Sequence, residues 1–144
     1  MNTASNLTPP NPYLANLIMS ASPVQLIVLL QDGLIRFLGA AYDGFSETDP
    51  QKRLETINNN LIRAQNIITE LDACLDMEKG GEVAHQLRDL YLYFNSTLRQ
   101  VNINKDATVL LRIIHMVSEL RDAWSQIATS SSGSQSERSM AAAV

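Results

Sequence analysis

Apolar residues between Ser22 and Tyr42 recur so densely that no single face accounts for them. Ser22 suits an N-cap and Pro23 the first helical position, and no other proline interrupts the stretch, which therefore predicts a long helix. At about 100° per residue, Gln25, Asp32, Arg36 and Asp43 share one narrow polar stripe. Apart from Gln31, every other position is apolar or small. The apolar arc covers roughly 270°, against little more than 100° for an ordinary surface helix. Such a helix is expected to be covered on several sides.

Three more helical patterns follow. Gly44 and the polar run Ser46 to Asp49 make a break, and Asp49-Pro50 restarts a helix in cap-then-proline order. Its seam is Leu54, Ile57, Leu61, Ala64, Ile68, Leu71 and Leu75, in alternating steps of three and four, with Ile62 and Ile67 outside it. Gly80-Gly81 ends that unit. A third helix, from about Glu82 to about Val101, runs on Val83, Leu87, Leu90, Phe94, Leu98 and Val101, with Tyr91 and Tyr93 off the seam. Asn102 to Asp106 reads as a polar connection offering Asn104 or Asp106 as the next cap. The fourth helix follows Leu110, Ile113, Val117, Leu120, Trp124 and Ile127, with Val109, Leu111, Ile114 and Met116 as extra apolar residues. One nearly all-apolar helix and three amphipathic ones on short loops predict an all-α fold, an antiparallel four-helix bundle over residues 22–128.

The flanks differ in character. Residues 1–21 contain Pro9, Pro10 and Pro12, which remove backbone donors and favour extended chain. Yet Tyr13, Leu14, Leu17, Ile18 and Met19 are too apolar for a purely solvated arm. This segment either packs on the core or forms a movable cover over an apolar groove. Residues 129–144 are rich in serine and predict a disordered tail, the alternative being that Met140 to Val144 form a small docking motif.

Composition narrows the function classes. The 144 residues, 45 % hydrophobic and 18 % charged, suit one domain with enough apolar material for a core. A net charge of −4 without any basic cluster argues against a nucleic-acid partner. The single cysteine, Cys74, cannot pair within the chain, and the first twenty residues lack a signal-peptide pattern, so a cytoplasmic location is expected. The Ser22 helix approaches membrane-spanning length, but Asp32 and Arg36 in its middle would each cost about 3 kcal/mol on insertion scales. Burial in protein, without membrane insertion, is the expectation.

Catalytic chemistry finds little support. Glu82 and His85 have Glu-x-x-His spacing, but a two-metal carboxylate site needs a second copy and two further inward glutamates. His85 and His115 lie opposite their seams and read as surface residues, while Cys74 has no cationic neighbour in sequence and reads as structural. Phosphate loops, nucleophile elbows and zinc spacings are missing from the sequence. No catalytic residue, metal or cofactor is expected. What does stand out is surplus apolar surface, which suits a groove for a client's amphipathic helix or a homodimer face.

These residues resemble the flagellin-specific export chaperones of bacterial flagellar secretion, the FliS family. The likeness runs from about Asn11 to about Ala128. It rests on Asn11-Pro12-Tyr13; Ala21-Ser22-Pro23 followed by Leu26, Leu29, Leu30, Asp32 and Gly33; Ala64-Gln65-Asn66-Ile67-Ile68 with Leu71 and Leu75; Leu90-Tyr91-x-Tyr93; and Leu120-Arg121-Asp122-Ala123-Trp124. Gln31, where the family often has tyrosine, Val101-Asn102 in place of Ala-Asn, and the serine-rich tail depart from the pattern. The resemblance implies a cytoplasmic bundle that binds the C-terminal segment of flagellin, prevents premature polymerisation and keeps the subunit ready for the flagellar export gate. By motif, Tyr13, Leu17 and Ile18 would form a displaceable cover, and Ile67, Ile68, Tyr91 and Tyr93 would lie near the client path. The rival reading is a structural or adaptor bundle that self-associates or docks on the export machinery.

Overall fold

The computed structural model describes residues 12–130 and 133–144, apart from the side chains of Leu14, Leu17 and Ile18. Expectations for Pro9, Pro10 and the side chains of Leu17 and Ile18 lie outside the described residues. The order is α1 Pro12–Ser20, α2 Pro23–Gly44, α3 Pro50–Ala73, α4 Gly81–Asn104, α5 Ala107–Thr129 and α6 Gln135–Ala142.

Local chemistry sets the helix starts. Ser22 and Gln25 form a reciprocal capping box, Asp49 accepts from the Gln51 amide, and Asp106 accepts from the Val109 amide at 3.1 Å. At the far end of α4, Lys105 takes a left-handed conformation (φ 52°, ψ 52°), and its ammonium donates to the backbone and side-chain oxygens of Asn102. That stop lies beyond the expected end at Val101, so Asn102 to Asn104 are helical rather than a polar connection.

α2 packs on α3 and α5, and α4 also packs on α3 and α5, so the four long helices form a ring in chain order. Their short connections make neighbours antiparallel. The core takes Ile27, Leu34, Leu38 and Ala41 from α2, with Ile57, Leu61, Ala64, Ile68 and Leu71 from α3. Leu87, Phe94 and Leu98 meet them from α4, and Leu110, Ile113, Val117 and Trp124 from α5. The apolar excess of α2 is thereby explained. Its flanks Val24, Val28, Leu30, Ile35 and Phe37 pack half-buried against the core. The Arg63 guanidinium lies over the Phe37 ring, 5.7 Å from its centroid. Gly44 lets α3 come close, since a Cβ there would stand 3.0 Å from the Thr56 methyl.

Two polar residues of α2 behave differently. Asp32 accepts from Arg121 of α5 at 2.7 Å, a half-exposed pair worth about 0–1 kcal/mol. By length and composition α2 could cross a membrane; here this ion pair sits at its middle and α3 and α5 flank it. Gln31 is fully buried, and neither of its amide atoms has a hydrogen-bond partner among the described residues. An unpaired buried amide costs free energy that an apolar group of similar shape does not. Gln31→Met is therefore expected to stabilise the bundle by about 1–3 kcal/mol, read as a higher urea midpoint at unchanged slope. A lower midpoint would mean that the amide is satisfied by buried water.

Three expectations are corrected. The N-terminal segment is not extended from Pro12 to Ser20 but helical, because Pro12 sits at its start, where a missing N–H costs nothing. The tail is not wholly disordered. Residues 135–142 form α6, capped by Ser134 onto the Glu137 amide, and Ala143 is buried, so the docking-motif alternative describes it better. Tyr91 is not off the seam: Ala84, Leu87, Tyr91, Phe94, Leu98 and Val101 point inward, leaving Val83 and Leu90 half-buried. α4 is rotated slightly about its axis, which exchanges Val83 and Leu90 for Ala84 and Tyr91 and keeps the other four of the row.

Candidate functional site

The polar bonds between α3 and α4 hold the outer seam of that pair at three levels. Asn102 donates to Asn58 at 2.8 Å, Gln65 to the Asn95 carbonyl at 3.4 Å, and Arg88 to Asp72 at 3.0 Å. Side chains that a helix turns more than about 90° from its core row stand outward. Ile62 on α3 and Leu92 and Ile103 on α4 are turned that far, whereas Leu54 lies only about 60° from its row and is exposed by its place near the start of α3. In chain order, the exposures of Leu54, Ile62, Leu92 and Ile103 are 50 %, 45 %, 62 % and 72 %. Leu54 and Ile103 flank an open depression of about 380 Å³ at one end of the seam. Leu92, Thr69 and the buried Tyr91 line a smaller one of about 230 Å³ toward the other. From Leu92 to Ile103 the helix rises about 16 Å at 1.5 Å per residue.

Aliphatic side chains spaced along a shallow groove, with amide side chains between them, can bind an amphipathic helix or extended strand by apolar burial. Nothing in this arrangement activates a nucleophile. Burial, helped by Glu70, pushes the Cys74 thiol up, away from thiolate. Burial also pushes the Tyr91 hydroxyl up, and Cys74 and Asp72 add to the effect. His85 and His115 are exposed, as their positions on the helices predict.

The residues carried over by motif are not assembled into one site. Tyr13 is 74 % exposed on α1, and Leu17 and Ile18 share that helix. Ile67 is half-buried on the α2 side of α3, where a Cβ on Gly33 would stand 3.3 Å from its Cδ1. Ile68 and Tyr91 belong to the core. Tyr93 is partly exposed on α4, its ring centroid 6.1 Å from that of Phe94. Sequence reasoning missed Leu92 and took Ile103 for part of a loop. An aliphatic residue among polar neighbours, opposite a helix's core row, was the available signal. It also placed Leu54 in the seam. That residue is exposed because it sits in the second turn of α3, where α4 is about to end.

Fold and face together define an all-helical bundle with an outward aliphatic groove. The family model for the flagellar protein FliS matches residues 6–131. The chain is 38 % identical over 120 residues to the flagellar secretion chaperone FliS of Salmonella typhimurium, covering 83 % of this chain and 86 % of that protein. It is 34 % identical over 119 residues to the chaperone of the same name in Bacillus subtilis, covering 81 % and 85 %. With that of Campylobacter jejuni it shares 32 % over 117 residues, covering 81 % and 88 %. This chain belongs to the FliS family of flagellar secretion chaperones. Its relatives are named as chaperones and not as enzymes, which fits a site built for binding.

Proposed function

We propose that this protein is a cytoplasmic export chaperone that binds the C-terminal segment of flagellin, without catalysis, prevents its premature polymerisation and keeps it ready for the export gate. The observation that carries the reading is the exposed aliphatic row Leu54, Ile62, Leu92 and Ile103 along α3 and α4, in a chain of this family. A segment that is disordered before binding loses conformational freedom on docking, and burial of about 1,000–3,000 Å² of surface offsets that loss. The resulting complex is reversible, as delivery requires. Tyr13, Leu17 and Ile18 act in this reading as a cover that moves aside, and the break at Ala21 and Ser22 between α1 and α2 is where it would hinge.

Titration calorimetry with a peptide copying roughly the last 40 residues of the same organism's flagellin tests this. Saturable one-to-one binding with a negative heat-capacity change is expected, because apolar burial carries that signature. No heat, together with a concentration-dependent dimer in solution, would assign the aliphatic row to self-association instead.

A further inference from the structure

The family match ends at residue 131, and α6 lies beyond it. At eight residues it is shorter than the roughly 12–15 that an isolated helix needs for marginal stability. Docking must supply the rest. The Asp76 amide, in the turn between α3 and α4, donates to the Ala143 carbonyl at 2.7 Å. Ala143 is completely buried, and Met140 and Val144 pack against the core. Gly80 admits it, because a Cβ there would lie 2.7 Å from the Ala143 Cα. Val144 lines a half-open cavity of about 260 Å³ with Ala21, Pro23, Leu26, Ile27 and Cys74.

We propose that this end of the bundle is a second helix-docking site, separate from the α3–α4 groove, and that α6 is its displaceable resident. The site takes a short amphipathic helix that presents one methionine and alanines, followed by one aliphatic residue. So short a face admits close backbone approach at Gly80 but buries little area, which makes exchange rapid. The Ser130–Ser134 run of serine and glycine keeps α6 near the site at an effective concentration on the order of mM. A helix of the same pattern supplied in trans competes on those terms.

Cys74, the chain's one cysteine, reports on the cavity without any label. In the full-length chain, Ala143→Glu places a charge at a completely buried position, and Met140→Glu removes a separate contact. Both variants are expected to speed alkylation of Cys74 by iodoacetamide at least about tenfold through local opening, while far-UV circular dichroism shows the bundle still folded. A peptide copying residues 133–144, added at about 1 mM, should slow the reaction again at least about threefold. Rates unchanged in both variants, or raised rates that the peptide leaves untouched, would overturn the proposal. Neither readout depends on flagellin binding, so the α3–α4 reading can fail without touching this one.

Discussion

The double variant Leu92→Glu, Ile103→Lys is expected to bind the flagellin C-terminal segment at least about 100-fold more weakly, a loss of about 2.7 kcal/mol. Each of these side chains, 62 % and 72 % exposed in the free protein, would bury most of its surface under a docked client. Full burial of an aliphatic side chain is worth about 1.5–3 kcal/mol, and a charge put in its place adds a desolvation penalty. Both replacements are good helix formers. Lysine near the end of α4 also suits the helix dipole, and the pair leaves net charge unchanged. The fold should therefore keep its stability within about 0.5 kcal/mol, checked by thermal melting beside the calorimetric titration. An affinity within threefold of the parent would remove the α3–α4 row from the client path and send the search to the α4–α5 side, where Tyr93 stands.

Trp124→Ala is expected to be the most damaging core truncation. The indole is fully buried on α5, and large aromatic truncations in cores cost about 3–5 kcal/mol. Domains of this size hold only about 5–15 kcal/mol in total. Much of the stability should disappear in urea denaturation followed at 222 nm, since the chain's only tryptophan is lost as a fluorescence probe. The indole N–H has no hydrogen-bond partner among the described residues, so no polar bond is lost with it. Trp124→Phe should consequently cost much less, about 1–2 kcal/mol. A phenylalanine variant as unstable as the alanine one would show that the N–H is satisfied by buried water and is needed.

Much of the bundle was legible because its causes are local. Ser22-Pro23 and Asp49-Pro50 announce helix starts through side-chain chemistry within one turn, and both cap as read. The rows Ile57 to Leu71 and Leu110 to Trp124 follow from helical period alone, and both line the core, with Leu120 half-buried at its edge. The family likeness was equally visible, since it depends on residue identities in order. α6 was less legible because its order comes from outside it: a serine-rich segment acquires a helix only where the Asp76 amide and the Gly80 surface receive it.

The sequence by itself determined that four long helices form, where α2 and α3 are capped, that α2 must be enclosed, and which family the chain belongs to. These depend on spacing and on neighbours a few residues away. Only the tertiary structure decided that Tyr91 and Gln31 turn inward while Val83 and Leu90 are left half-buried. The rotation of a helix about its own axis is set by the helices packed beside it. A few tens of degrees there separate a core side chain from one left half-buried.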